Sequence, residues 1–152
     1  SITIEPCREA FQPEAQKLIE AYLTERWGSL NSRLNPDIRA IADSYREGCF
    51  VVALDSGEVI GTGAILPETD SVARVVRMTV AKARRGEGIG RKILTSLCEE
   101  AQRRGYHTLV LETTETWESA IAFYTRYGFR VLGRWDGDCH FELDLFPKEQ
   151  GA

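Results

Sequence analysis

The segment RRGEGIGRKIL, residues 84–94, combines three glycines at alternate positions with basic side chains on both sides. Residues 82–92 hold five cationic side chains against the single carboxylate of Glu87, a net charge of +4. The whole chain carries −4, so the rest of it carries −8. Helical apolar spacing begins at Ile89, which predicts that the glycines open a helix. Backbone N–H groups at a helix start bind phosphates, and nearby cations strengthen the binding, so this segment predicts a site for a phosphate-bearing ligand.

Two familiar nucleotide-binding motifs do not fit this segment. A P-loop needs a second glycine and then Ser or Thr where Arg91 and Ile93 stand. The dinucleotide fingerprint G-x-G-x-x-G fails because the third glycine comes one position too early. The pattern R-x-x-G-x-G does fit, at Arg85, Gly88 and Gly90. A nucleotide-binding module is therefore disfavoured, although the segment still predicts a site for a phosphate-bearing ligand.

The composition of the 152-residue chain, 43% hydrophobic and 28% charged, is typical of a soluble globular domain. We predict a single domain over residues 1–152, with a loose tail from about residue 147. No apolar run approaches the roughly 20 residues of a membrane span. The first residues lack the basic-then-apolar pattern of a signal peptide. We therefore expect a cytoplasmic protein that does not bind a membrane.

The cysteines and the basic segment argue against other classes of partner. Cys7, Cys49, Cys98 and Cys139 lie far apart and form no C-x-x-C pair, which argues against a metal site or a disulfide framework. We expect reduced thiols and no bound metal. Nucleic-acid binding needs a broad basic face, whereas the positive charge here lies in one turn. A compact anionic ligand fits better than a nucleic acid.

The apolar patterns predict an α/β (α+β) fold. Strands are expected at residues 2–4, on both sides of the turn 55–57, at 72–80, at 107–113 and on both sides of the turn 136–138. Helices are expected after Pro13, from Asn35 to Gly48, from Ile89 to Gly105 and over residues 117–127. We predict a mixed, mostly antiparallel sheet of six to seven strands flanked by about four helices.

Two segments of the sequence resemble motifs of the GNAT superfamily of acyl-CoA N-acyltransferases, and they occur in the order found in that family. One is the strand, glycine turn and helix VVRMTVAKARRGEGIGRKIL. The other is ESAIAFYTRYGFRVLG, in which the residues at family spacing are Ala120, Phe123, Tyr124, Gly128 and Phe129. The element order also agrees, so the resemblance covers nearly the whole chain. It implies acetyl-CoA as the cosubstrate and a primary amine of a small molecule or peptide as the acceptor. Dimers are frequent in the family, which leaves a homodimer open.

The resemblance also implies which residues would hold the coenzyme. The strand before the turn would pair with the pantetheine arm through its backbone at Met78, Thr79 and Val80. The N–H of Met78 or a neighbour would polarise the thioester carbonyl. The pyrophosphate would lie on the turn, at Arg85, Gly86, Gly88, Ile89, Gly90 and Arg91.

The resemblance implies one residue as the catalytic acid but leaves several candidates for the base. Tyr124 stands at the family's tyrosine that protonates the departing thiolate, although helical spacing alone also fits a core tyrosine. Many relatives carry a Glu on the strand before the turn, near Arg74 of this chain, so the usual carboxylate is absent. Glu112 is the replacement candidate, and it also fits a strand-end carboxylate paired with an arginine. His140 or a chain of waters would serve as alternatives.

The acceptor pocket is implied to involve residues 26–36 and 136–144. Its candidate contacts are Trp27 and Leu30 for an apolar wall, Arg33 for a carboxylate, and Asp136, Asp138 or Glu142 for an ammonium group. The same residues also fit ordinary surface positions. The acidic remainder of the chain favours a cationic amine by electrostatic steering. A non-catalytic acyl-CoA-binding sensor or interaction domain on the same fold stays open as the alternative.

Overall fold

The computed structural model describes residues 1–28 and 35–147. Within these residues, seven strands form one mixed sheet in the order β1-β2-β3-β4-β5-β7-β6. The strands are β1 (Ile2–Pro6), β2 (Cys49–Asp55), β3 (Glu58–Pro67), β4 (Val72–Val80), β5 (Thr108–Thr114), β6 (Arg130–Trp135) and β7 (Asp138–Asp144). The helices are α1 (Gln12–Trp27), α2 (Ile41–Ser44), α3 (Ile89–Arg103) and α4 (Glu118–Tyr127).

The α/β class and the mixed sheet predicted from the sequence are confirmed. Strands β1–β2, β2–β3, β5–β7 and β6–β7 pair antiparallel. Strands β4 and β5 pair in parallel from Val72–Thr108 to Arg74–Val110. A parallel pair needs a crossover, and α3 supplies it. The prediction of a single domain over residues 1–152 stays a prediction. Along the two described stretches, the helices lack the length and apolar character needed to cross a bilayer.

The chain divides into two compact units, which are described separately. The first comprises Ser1–Leu66 and Val76–Leu97, and the second comprises Pro67–Val75 and Cys98–Ala152. The core of the first unit packs Ala15 and Ile19 of α1 against Val52 and Ala64 of the sheet. The opposite face of β3 carries Gly61 and Gly63, and α3 packs directly on these glycines.

The second unit buries one face of its strands under α4. Leu109, Leu111 and Phe141 point to this face and are almost fully buried. The ring of Tyr124 lies 5.6 Å from that of Phe129 and 5.9 Å from that of Phe141, between ring centroids. These contacts bury the side of α4 that carries Tyr124.

The prediction of one continuous helix from Asn35 to Gly48 is wrong, because the structure has two short elements there. A 3₁₀ turn covers Pro36–Arg39, and α2 is a single turn. Ala40 breaks the helix, with φ −146° and ψ 66°. The spacing of Ile38, Ile41, Ala42 and Tyr45 predicts one apolar side for this segment. Ile38, Ile41 and Tyr45 are buried, whereas Ala42 is exposed.

The side chain of Gln12 gives a physical reason for this break. Its amide nitrogen donates to the Ile38 carbonyl at 2.6 Å, and its amide oxygen accepts from the Ile41 N–H at 2.9 Å. A continuous helix would bond both of these backbone groups internally. Because a side chain of α1 satisfies them, the backbone turns away at Ala40 without leaving buried polar groups unpaired.

Candidate active site

The glycine turn leaves β4 through a 3₁₀ turn at Lys82–Arg84 and leads directly into α3. Gly86 and Gly88 have φ values of 85° and 82°, in the left-handed region that glycine adopts at little cost. A Cβ built on either glycine would meet no atom of residues 1–28 or 35–147 within 4 Å. The space in front of the turn is therefore open to a ligand.

The first turn of α3 begins directly after Gly88. Gly88 precedes the helix, since its carbonyl accepts the N–H of Lys92 at 3.2 Å. The N–H groups of Ile89, Gly90 and Arg91 follow, at positions that have no acceptor within a helix. Ile89 is almost fully buried and fixes the start of the helix against the sheet. The turn therefore has the form expected of a phosphate site.

Two arginines of the turn are engaged in ion pairs within the first unit. Arg84 pairs with Asp55 at 2.9 Å and with Glu87 at 3.1 Å. Arg85 binds Glu25 of α1 through two bonds of 2.6 and 3.1 Å. The Arg85 hydrogen bond holds the pKa of the Glu25 carboxyl below its ordinary value. The assignment of Arg85 to the pyrophosphate stays a prediction, and in this structure its guanidinium faces Glu25 of α1.

A groove of about 660 Å³ lies beside the turn in the first unit. Leu18 and Tyr22 of α1 and Val80 of β4 contribute apolar side chains to its lining. The charged residues of the lining are Lys17, Lys82 and Arg85 together with Glu20 and Glu25. Two of these residues, Val80 and Arg85, are among the predicted coenzyme contacts. Apolar side chains next to the positively charged turn suit a ligand that joins an uncharged arm to an anion.

The backbone of β4 departs from a regular strand at Arg77. This residue has φ 57°, an uncommon conformation for a residue other than glycine. Its carbonyl accepts the hydroxyl of Thr62 at 2.7 Å. Sequence reasoning missed this position, because one arginine within an apolar strand resembles an ordinary exposed residue.

The predicted coenzyme residues on β4 are held by contacts with β3. Thr62 and Thr79 are fully or almost fully buried, and their hydroxyl oxygens lie 2.6 Å apart. Thr62 gives its only hydroxyl proton to Arg77, so Thr79 must donate to Thr62. The sulfur of Met78 lies 2.8 Å from the position that a Cβ on Gly63 would occupy, so the Met78 side chain packs on that glycine.

The side chain of Arg77 enters a polar cluster with the segment that follows α1. It donates to both oxygens of Asp37, at 2.6 and 2.9 Å, and to the side-chain oxygen of Asn35 at 2.9 Å. The hydroxyl of Tyr45 donates to the same Asp37 carboxylate at 2.6 Å. Burial opposes the charge of Asp37, but these donors outweigh it and hold the Asp37 pKa below its ordinary value. The carboxylate is therefore ionised at neutral pH.

Tyr124 lies in the second unit, on α4, and is 8% exposed. Its ring packs against Phe123, Phe129 and Phe141. Its carbonyl accepts the N–H of Gly128 and that of Phe129, which closes the helix. Both interpretations made from the sequence, a core tyrosine and an acid, remain compatible with this position.

Glu112 lies on β5 and forms an ion pair with Arg74 of β4. Arg74 also binds Glu68, with nitrogen–oxygen distances of 2.8 and 3.0 Å. The arginine that stands near the usual carboxylate of the family therefore holds two carboxylates of the second unit. The pairing with an arginine that the sequence analysis offered as an alternative for Glu112 is confirmed.

The strands β6 and β7 place His140 beneath an aromatic ring. The rings of Trp135 and His140 stack with centroids 3.7 Å apart and an interplanar angle of 6°. His140 also pairs in register with Glu112 of β5, so their side chains share one face of the sheet. Trp135 is 48% exposed, which leaves part of this stacked surface accessible.

The predicted acceptor contacts have different surroundings. Glu142 is paired with Arg130, while Asp136 forms the turn between β6 and β7 and Asp138 begins β7. Trp27, in the first unit, is 60% exposed. Leu30 and Arg33 lie outside the described residues. In the part of the chain that the structure describes, no three or more His, Cys, Asp or Glu residues are grouped to hold a metal ion.

Comparisons with known proteins show the family of this chain. The profile described as "Acetyltransferase (GNAT) family" matches residues 9–129. An IAA acetyltransferase from Azospirillum brasilense is 38% identical over 105 residues, which are 68% of this chain and 62% of that protein. The chain spans about half the length of several other curated relatives.

Solved structures share the fold at low sequence identity. An acetyltransferase of the GNAT family from Staphylococcus aureus Mu50 superposes with a TM-score of 0.88 at 21% identity, covering 96% of this chain and 100% of that one. The protein yncA from Salmonella typhimurium, solved with its cofactor acetyl-CoA, superposes with a TM-score of 0.77 at 19% identity. That match covers 100% of this chain and 98% of yncA.

Proposed function

Since this chain belongs to the acetyltransferase (GNAT) family, we propose that it transfers an acetyl group from acetyl-CoA to a primary amine of a small molecule or peptide. The observation that carries this proposal is the open glycine turn at the start of α3, with its left-handed Gly86 and Gly88. An arrangement of backbone donors around open space suits the pyrophosphate of a coenzyme. The acidic charge of the remaining chain favours a cationic acceptor.

Acetyl-CoA would bind in the first unit through both its charged and its uncharged parts. The pyrophosphate would accept hydrogen bonds from the backbone of residues 85–91, and Arg91 adds a positive charge. The pantetheine arm would follow the β4 backbone at Met78, Thr79 and Val80. The groove supports this course, because Val80, the last residue of β4 before the turn, lines it together with Leu18 and Tyr22.

The proposed reaction is a direct attack without a covalent acyl-enzyme. An ammonium group first loses a proton to Glu112, directly or through water, because only the neutral amine can attack. The amine nitrogen then bonds to the thioester carbon, while the carbonyl oxygen gains charge that an N–H of Met78 or a neighbour would stabilise. The carbon–sulfur bond breaks, the sulfur takes a proton from Tyr124, and the nitrogen releases its second proton to water. The products are an N-acetylated amine and the free coenzyme thiol. Holding both substrates together supplies much of the rate.

Thermal unfolding with and without acetyl-CoA tests the coenzyme assignment. At a hundredfold excess over its dissociation constant, a ligand adds about 2.7 kcal/mol to the free energy of unfolding. For a chain of this length we expect the Tm to rise by about 5–10 °C. ATP, NAD and inorganic phosphate serve as controls. An equal shift with ATP, or no shift with acetyl-CoA, would contradict the assignment of the glycine turn.

Glu112→Gln tests the proposed base, with Glu68→Gln as a matched control. Both carboxylates bind Arg74, so either substitution removes one ion pair from the same guanidinium. We expect kcat to fall about tenfold in the first variant, less than a typical general base contributes, because water can also take the proton. The control should stay within twofold of the wild-type kcat. Equal effects in both variants would show that Glu112 acts only through its ion pair.

A non-catalytic sensor of acyl-CoA is the second candidate, because Arg74 stands near the position where many relatives carry a carboxylate and its pairing occupies Glu112. The two functions differ in one measurable product. An enzyme releases free coenzyme thiol in proportion to the amine supplied, whereas a sensor binds acetyl-CoA without such release. Thiol titration across a panel of small amines and peptide amines separates the two.

A further inference from the structure

We propose that Arg77 and Asp37 form a positioning pair that holds the β4 backbone from Met78 to Val80 in the conformation that receives the thioester arm of acetyl-CoA. This inference rests on the proposed function. It adds two residues that sequence reasoning did not single out, on segments 40 positions apart. Neither residue is proposed to touch the reacting atoms.

The first argument is the backbone conformation of Arg77. A φ of 57° is unfavourable for a side chain with a Cβ, so the surrounding contacts must maintain it. The next three residues are those proposed to meet the coenzyme arm. A return of Arg77 to an extended conformation would re-aim the N–H of Met78 and displace the strand that follows.

The second argument is that Arg77 is fixed at both its backbone and its side chain. Its carbonyl accepts the Thr62 hydroxyl at 2.7 Å. Its guanidinium forms two bonds with Asp37, and both side chains are largely buried, at 17% and 25% exposure. A bidentate arginine–carboxylate pair restricts orientation as well as distance. The pair therefore fixes the direction in which the left-handed residue turns the chain.

The third argument is that Asp37 is itself held in place. The hydroxyl of Tyr45 donates to its carboxylate at 2.6 Å, and Asn35 accepts from the same guanidinium at 2.9 Å. The Ile38 carbonyl, next in the chain, is bonded to Gln12 of α1 at 2.6 Å. A rigid support transmits its geometry to the strand, which a mobile surface carboxylate would not do.

Two ligands separate positioning of β4 from a general effect on the fold. Acetyl-CoA would touch both the glycine turn and the β4 backbone. The fragment 3′-phospho-ADP carries the pyrophosphate but no pantetheine arm, so it would touch only the turn. Calorimetry on the full chain measures the Kd of each, and their ratio reports the contribution of the arm.

Asp37→Asn is expected to raise the Kd of acetyl-CoA about tenfold or more, because a small displacement of the β4 backbone would weaken its contacts with the pantetheine arm. The Kd of 3′-phospho-ADP should stay within twofold. Asp55→Asn is the matched control, since it breaks an arginine pair of similar exposure, that of Arg84 at 28% and 27%. Its ratio of the two Kd values should equal that of the wild type.

Arg77→Gly keeps the test decisive if Asp37→Asn does not fold. Glycine adopts a φ of 57° without strain but adopts other conformations as readily, so this variant adds no steric clash and removes the side chain that fixes the conformation. We expect the same selective loss of acetyl-CoA affinity. An unchanged ratio in both variants, or parallel weakening of both ligands, would overturn the positioning pair. Failure of the wild-type protein to bind acetyl-CoA would instead overturn the proposed function.

Discussion

Replacement of Gly48 by alanine is expected to lower the free energy of unfolding by about 3 kcal/mol. Gly48 is buried immediately before β2, and a Cβ there would overlap the Ile65 carbonyl oxygen and lie 3.2 Å from the Leu66 Cα. These are backbone atoms of β3, so they cannot rotate away as a side chain would. The first register pair of the two strands, Cys49–Ile65, would have to open. Chemical denaturation followed by circular dichroism measures the change.

Gly57→Ala is the control for this substitution. Gly57 lies in the β2–β3 turn with φ 82°, and a Cβ there would meet no atom of the described residues within 4 Å. Alanine at that position carries only the cost of a left-handed conformation, about 1–2 kcal/mol. If both variants lose the same free energy, the close approach to Ile65 is not what requires glycine at position 48.

Tyr124→Phe is expected to reduce kcat about a hundredfold while leaving the Kd of acetyl-CoA unchanged. The substitution keeps the ring among Phe123, Phe129 and Phe141 and removes only the hydroxyl. The departing thiolate would then have to take its proton from water. Release of coenzyme thiol at saturating amine and acetyl-CoA measures the effect.

Tyr127→Phe, one turn along the same helix, is the matched control. The Tyr127 hydroxyl donates to the sulfur of Cys98 at 3.6 Å, so its loss removes a hydrogen bond without touching the proposed acid. We expect a kcat within twofold of wild type. A fully active Tyr124→Phe would remove Tyr124 from the mechanism without removing the enzymatic function.

The parts of the molecule that short stretches of sequence determine were predictable. The glycine turn and the start of α3 follow from alternating glycines and the helical spacing of Ile89 and Ile93, and the structure has both. The turns at residues 55–57 and 136–138 follow from the local conformational preferences of glycine and aspartate. Such features depend on neighbours within a few positions.

The parts that long-range contacts determine were not predictable. Gln12 breaks the predicted second helix from 26 residues away, because it takes the Ile38 carbonyl. Asp37 lies 40 positions from Arg77, and nothing in the sequence near either residue indicates that they pair. The ion pair of Arg85 with Glu25, 60 positions away, was likewise not indicated by the sequence near either residue. Each of these contacts joins residues that are distant along the chain, so local pattern alone does not reveal it.

The hydrogen bonds of the buried Thr62 and Thr79 hydroxyls, on β3 and β4, affect how this protein can evolve. Thr79 donates to Thr62, and Thr62 donates to the Arg77 carbonyl. Loss of the Thr79 hydroxyl leaves the bond from Thr62 to the Arg77 carbonyl intact. Loss of the Thr62 hydroxyl first leaves both the buried Thr79 hydroxyl and the Arg77 carbonyl without this partner, which is costly. Lineages that replace both threonines with valine should therefore pass through valine at position 79 before position 62. Which threonine donates in this hydrogen bond thus determines the order in which the two substitutions can be accepted.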